Sequence, residues 1–317
     1  MSVVRLPLVA APPLWRAAQS LGVVLTLVLL GAFVLMPDVS LHLLWDMVIP
    51  LLPAVFLVNP MIWRNVCPLA TLNELGSRRS AGRLLTPPVL TLMWAVGIGL
   101  LVLMVPARRF LFNANGVAMT VTVSAVAVLA VATGLVVSRR AGFCNSLCPV
   151  LPVEKLYGQA PLLDVGSARC VDCNRCVSLG CPDLAGRKSA VQSIAGWRGR
   201  HWILSPFGLF ASAFPGFIIG YFTTVDGPLS QALATYATVG QWVVGSIVAS
   251  AILLGLVRGA RALLVLGGVS VGTYYWFAAP RLIDAYGGTA MAGQVVRALV
   301  LAGVAAWMWR GWRRLPA

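Results

Sequence analysis

The stretch CVDCNRCVSLGCP, residues 170–182, puts four cysteines within a dozen residues. Cys170, Cys173 and Cys176 are spaced C-x2-C-x2-C, and Cys181 follows after four residues with Pro182 behind it. Thiolates at this spacing let the chain wrap a cubane, each sulfur reaching a different iron. A zinc ribbon instead separates two C-x2-C pairs by a longer stretch, so that two knuckles face one tetrahedral ion. The spacing therefore predicts a [4Fe–4S] cluster on Cys170, Cys173 and Cys176. Cys181 is the expected fourth ligand, although its gap is one residue longer than in the bacterial run C-x2-C-x2-C-x3-C-P. The last cysteine of that run ligates the other cluster in two-cluster ferredoxins, so which cluster Cys181 serves stays open.

Three more cysteines fall in a repeat. NVCPLATLNELG (65–76) is similar to SLCPVLPVEKLYG (146–158), each with Cys-Pro, an apolar stretch and a leucine before glycine. Cys67 belongs to the first copy and Cys148 to the second, which adds Cys144 where the first has Trp63. One Cys-Pro pair is an ordinary helix terminator beside a buried thiol. Two at equivalent places, in a chain with a ferredoxin run, predict ligands. Four thiols fill one cluster, which leaves Cys67, Cys144 and Cys148. They could hold a second cluster with a non-cysteine ligand, a three-iron cluster, copper, or no metal at all.

The elements that must position these thiols are oily. Of 317 residues 59% are hydrophobic and 10% charged, with a mean hydropathy of +0.87; a soluble domain carries about a quarter charged residues. Apolar runs near 20 residues, long enough for a helix to cross the bilayer core, recur at 18–36, 41–58, 87–107, 117–137, 203–222, 238–257, 262–279 and 294–309. The fold class is an all-α polytopic membrane protein of about eight transmembrane helices with a small cytoplasmic ferredoxin-like iron–sulfur segment. Asp46, Pro50 and Pro53 interrupt the second run, and the fifth carries Pro206 and Pro215. The first run is expected to be a retained anchor, since no small-residue cleavage pattern follows it. The organisation reads as a four-helix membrane unit at 1–137 with the repeated Cys-Pro loop, an iron–sulfur segment at 138–202 and a second four-helix unit at 203–317. The middle segment, with few large apolar residues, is expected to need a metal to hold its shape.

The net charge of +15 predicts topology rather than nucleic acid binding. With the N-terminus inside, twenty of the 24 Lys and Arg residues fall on inner segments, leaving Arg108, Arg109, Arg281 and Arg297 outside or within a span. That asymmetry is the positive-inside pattern for a multi-pass protein of a bacterial inner membrane with both termini cytoplasmic. All seven cysteines then face the cytoplasm too, where thiols stay reduced and metal or redox work is favoured over disulfides.

Repeated Cys-Pro loops after paired helices, with a ferredoxin run on the cytoplasmic side, resemble the NapH/NosR/CcoG group of polytopic membrane ferredoxin-like proteins. GFCNSLCP (142–149) is similar to that group's Gly-x-Cys-x-x-x-Cys-Pro loop, and CVDCNRCVSLGCP to its ferredoxin segment. The resemblance covers roughly residues 20–182. It implies membrane electron transfer, often from quinol to a partner redox protein, or copper reduction during oxidase assembly in the CcoG branch. The chain carries one ferredoxin run and one and a half loops, where the group typically has two of one or the other.

His42 and Asp46 lie one helical turn apart in the second run, toward the outer leaflet, and could take a quinol head and its protons. The alternative is an interfacial acid bonded to a neighbouring helix or water. In GWRGRHW (196–202) the tryptophans and arginines read as membrane anchors, with an inner-leaflet quinone pocket at His201 and Trp202 as the alternative. The hydrocarbon core is about 30 Å thick, so a quinone site feeding the clusters belongs in the inner half or needs a bridging subunit. A bis-histidine haem is excluded, because the only histidines, His42 and His201, are expected on opposite sides. The glycine-rich LLVLGGVSVG (263–272) predicts close helix packing.

The function expected from these readings is iron–sulfur electron transfer linking a quinone pool or soluble donor to a partner redox protein. The rivals are a copper reductase or assembly factor for a respiratory enzyme, and a structural cluster-bearing subunit of a larger membrane complex. One [4Fe–4S] cluster is expected, with a second cluster and a quinone as further candidates. Membrane lipid and a redox partner are the expected contacts.

Overall fold

A backbone in lipid must satisfy its own polar groups, and a helix does so within one segment. The computed structural model describes residues 12–77, 85–137, 142–163, 186–195, 197, 201–257 and 259–314. Among them every regular element is a helix, and none is a strand. Eight helices are long and apolar enough to cross a membrane, at Trp15–Leu35, Pro37–Val58, Pro87–Phe112, Gly116–Val136, Pro206–Thr223, Leu229–Leu256, Gly259–Ala285 and Ala290–Arg314. The protein is therefore a multi-pass helical membrane protein.

In chain order the elements are α1 (Pro12–Leu35), α2 (Pro37–Leu43), α3 (Ile49–Val58), α4 (Pro60–Val66), α5 (Pro68–Ser77), α6 (Pro87–Ala107) and α7 (Gly116–Val136). Then come α8 (Leu151–Tyr157), α9 (Gly186–Gln192), α10 (Pro206–Thr223), α11 (Ala232–Leu256), α12 (Gly259–Ala285) and α13 (Ala290–Arg314). The second span is not broken where Asp46, Pro50 and Pro53 suggested. A π-helical turn at Leu44–Val48 joins α2 to α3, and Pro50 and Pro53 lie within the helical run that continues from it. A second π turn, Arg108–Phe112, carries the third span past its expected end at 107.

Two spans are interior. In α10 and α12, 72% and 61% of the most apolar window is buried, against 6–33% in the other six, whose apolar surface is left for lipid. One core runs across both four-helix units: Phe56, Leu57 and Leu101 join Phe210, Phe217, Leu263 and Trp307.

The described part of the middle segment packs against the membrane helices. Leu151, Leu156 and Tyr157 of α8 are each 2% exposed or less. The Gln159 amide donates to the Leu263 carbonyl at 2.8 Å. The Leu162 and Leu163 N–H groups donate to the carbonyls of Leu57 and Val58 at 2.9 and 3.0 Å, and Asn59 returns a bond to the Leu163 carbonyl at 2.8 Å. The expected close packing of 263–272 is used here: a Cβ at Gly267 would lie 2.8 Å from the Leu156 carbonyl. Thus α8 plugs one end of the bundle, between α3 and α12.

Candidate functional site

In both Cys-Pro copies the cysteine carbonyl accepts the bond that starts a short helix. The Cys67 N–H closes α4 by donating to the Trp63 carbonyl at 2.8 Å, and the Cys67 carbonyl accepts from Thr71 N–H at 3.2 Å to start α5. In the second copy the Phe143 carbonyl accepts from Ser146 and Cys148 N–H at 3.1 and 3.0 Å, and the Cys148 carbonyl accepts from Leu151 N–H at 3.1 Å to start α8. Pro68, which lacks an N–H, ends α4 and opens α5, whereas in the second copy the residues before Pro149 form turns and α8 follows it.

What brings the copies together is Arg64, in the last turn of α4. Its Nε donates to the Glu154 carboxylate of α8, in an ion pair whose side chains are only 4% and 5% exposed. Its Nη2 donates to the Asn145 side-chain oxygen at 2.6 Å and reaches the Cys144 carbonyl at 3.4 Å. Trp94 of α6 completes the frame, donating from its indole to the Asn145 carbonyl at 2.8 Å. Aligning the copies on their Cys-Pro steps puts Asn145 at the place of Arg64 and Asn73 at the place of Glu154. Asn73 is fully buried and donates to the Ala130 carbonyl at 2.8 Å. Each copy thus carries a buried polar side chain at the same register, locking its helix to a neighbour.

The outcome is a convergence of thiols from both loops. Cys144 is buried with Ala70, Ala130 and Phe143, and Cys67 and Cys148 pack against that group. Burial pushes the Cys148 thiol well up from its ordinary range, and the nearby Cys144 and Cys67 sulfurs push it further. A thiolate at Cys148 beside those two sulfurs needs a cation to offset its charge. As soft donors in an apolar surround the three suit iron–sulfur or Cu(I) chemistry, in which the metal supplies that charge. Among the described residues no three His, Cys, Asp or Glu side chains are grouped to hold one metal ion. A centre here therefore calls for a further ligand or a different spacing of the thiols. Cys170, Cys173, Cys176 and Cys181 lie outside the described residues.

The remaining candidates separate. His201 is exposed in a 3-10 turn, whereas Trp202 is 3% exposed. Trp202 belongs to the core with Phe207 and Phe210, so it is not an interfacial anchor. Trp197 keeps 42% exposure, as an anchor would.

At the opposite end of the bundle, His42 Nδ1 lies 2.8 Å from the Asp46 carboxylate. Arg108 lies 3.7 Å from the other Asp46 oxygen and stacks over Trp45. The two π turns thus place an acid and an arginine side by side. Arg108 donates to the Tyr221 hydroxyl at 2.8 Å, and Arg109 pairs with Asp226 at 2.8 Å. Arg108 and Arg109, read as charges against the inside rule, tie the third span to the second and fifth.

Sequence reasoning counted Arg64 and Lys155 only as topology charges and passed over Glu154, Asn145 and Trp94. One signal was present: Glu154 is the only acid between 142 and 163, set in an apolar stretch, where an acid needs a buried partner.

Fold and site together define a multi-pass helical membrane protein in which three cysteines from two Cys-Pro loops pack into one small cluster. No family model, curated protein or solved structure matches the chain.

Proposed function

We propose that this protein is a membrane-bound iron–sulfur electron-transfer protein of the NapH/NosR/CcoG type, linking a quinone pool or soluble donor to a partner redox protein. The observation that carries the reading is that Cys67, Cys144 and Cys148, from two separate Cys-Pro loops, pack into one small apolar cluster beside the Arg64–Glu154 pair. A helix terminator needs no such convergence. The ferredoxin-like run Cys170–Cys181 would hold a [4Fe–4S] cluster, which when bound accepts and releases single electrons. The chain's own part is to keep the three thiols together in an apolar surround, with buried Arg64 supplying positive charge beside Cys144. The positive-inside pattern supports a cytoplasmic position, at a bacterial inner membrane, for this end of the bundle.

Electron paramagnetic resonance of anaerobically purified protein, as isolated and after dithionite, tests the reading with parallel iron and sulfide analysis. A reduced [4Fe–4S] signal lost in Cys173→Ala is expected, with a second signal lost only in Cys144→Ala if the three converging thiols hold a cluster. Copper bound by those thiols beside a single cluster would shift the reading to a copper-handling factor. Zinc, or no metal and no signal, would overturn it.

A further inference from the structure

An arginine inside a membrane span needs an anion or an acceptor, and hydrocarbon offers neither. Arg297 belongs to α13, seven residues in from Ala290, which is about 10 Å along a helix. Its guanidinium stacks over Trp276 of α12, 4.5 Å from the ring centre. Among the described residues no carboxylate pairs with it, and its Nε is buried with no acceptor. The indole face answers part of the charge, but a guanidinium has five N–H donors to place. Arg108 and Arg109, at the same end of the bundle, are by contrast matched by Asp46 and Asp226.

The α12–α13 hairpin also gives the depth of this pair. At the Cys-Pro end, where Gln159 reaches Leu263, Arg261 of α12 lies over Trp312 of α13 at 5.0 Å. Arg310, Arg313 and Arg314 gather at that end too, which marks it as a headgroup layer. From residue 261 to 276 on one helix, as from 312 to 297 on the other, is about 22 Å at 1.5 Å per residue. The hydrocarbon core is about 30 Å thick, so Arg297 and Trp276 stop roughly 8 Å short of the far headgroups.

The pair also faces lipid. Trp276 is 50% exposed, and Val295 and Leu299 beside Arg297 are 53% and 68% exposed. Helical side chains tilt toward the N-terminus of their helix, which in α13 is the far headgroup layer. Gln294 is exposed one turn nearer that layer and shares a face with Arg297, adding an amide donor. A phosphate fits this arrangement: its oxygens accept the parallel N–H bonds of a guanidinium, and its charge answers the one that no carboxylate meets. A headgroup without an ammonium of its own brings that charge uncompensated.

We infer that Arg297 and Gln294 bind the phosphate of an anionic phospholipid, drawn below the headgroup level onto the Trp276 edge of the α12–α13 hairpin. By the charge pattern this is the outer leaflet. The inference is independent of the electron-transfer reading.

Full-length protein is reconstituted in phosphatidylcholine vesicles containing phosphatidylglycerol with a photoactivatable diazirine on its headgroup, illuminated, and mapped by peptide mass spectrometry. Adducts on residues 290–299 are expected, reduced about fivefold in Arg297→Met, the loss of one basic residue's attraction for an anionic lipid. Arg297→Lys, which keeps the charge and reaches the same layer, should retain most of the labelling. If Arg297→Met does not fold, Gln294→Glu decides by the same loss, because its carboxylate pairs with Arg297 in place of the phosphate. Labelling unchanged in a folded Arg297→Met, or in Gln294→Glu where that variant decides, overturns the inference. Equal labelling by phosphatidylcholine carrying the same diazirine overturns it as well. So does competition by glycerophosphate in the buffer, which would make the ligand a free phosphate. No adduct in this segment also overturns it, and assigns Arg297 to an acidic side chain of a neighbouring membrane protein.

Discussion

Replacing Arg64 with methionine isolates the contact on which the thiol convergence depends. The substitution keeps much of the aliphatic stem and removes the guanidinium, so Glu154, 4% exposed, loses its cation and Asn145 loses a 2.6 Å bond. Removing one partner of a buried ion pair costs about 3–5 kcal/mol, because the remaining charge stays desolvated. With roughly 2.1 cal/mol/K of unfolding entropy per residue, a chain of 317 residues should lose roughly 4–8 °C in Tm. Glu154→Leu should cost a similar amount. The double variant Arg64→Met/Glu154→Leu should recover most of the loss, since an apolar pair needs no desolvation. Thermal unfolding in detergent across this four-member cycle gives the coupling. Maleimide labelling in the same samples reports on the site: Cys144 should react faster in each single variant as the loops separate. A loss below about 1 kcal/mol in Arg64→Met would refute the argument. A double variant equal to the sum of the singles would refute it too.

Lys155 should give stability a pH dependence. Burial first, and then the Arg64 charge, lower its pKa from 10.5 to about 7. Between pH 7 and the ordinary lysine range the unfolded chain binds the extra proton, so this group makes stability rise with pH, by at most about 1.4 kcal/mol per pH unit. Above roughly pH 9 unfolded thiols ionise while buried Cys148 does not, which opposes the trend. Unfolding measured at pH 7 and 8.5 should therefore show a rise in the wild type that is flattened in Lys155→Met. Gly97→Ala would place a Cβ 2.9 Å from the Leu147 carbonyl, pushing the second Cys-Pro loop off α6. Overpacking of this kind costs about 1–3 kcal/mol, and metal content per chain should fall in the same variant. For topology, a cytoplasm-active reporter fused after residue 317 should be active, and one inserted in the 224–228 loop should be silent. The opposite result would reverse the charge reading.

Some features were legible because they depend on the chain's own chemistry. A segment of about 20 apolar residues must become a helix in lipid, whatever it packs against. All eight expected spans accordingly have counterparts, differing mainly at their ends. The Cys-Pro repeat was visible too, because it is a pattern of residue types, and in both copies a short helix follows the proline. Sequence could not say that Cys67 meets Cys144 and Cys148, since nothing local links residues some 80 positions apart. That was decided by Arg64 finding Glu154, a choice made by burial: a lone charge in an apolar core must pair, and α8 is the element that carries the partner. Lys155 could be counted as an inner charge from its position alone. Only the packing of α6 and α10 around it turned that charge into a buried donor between two rings.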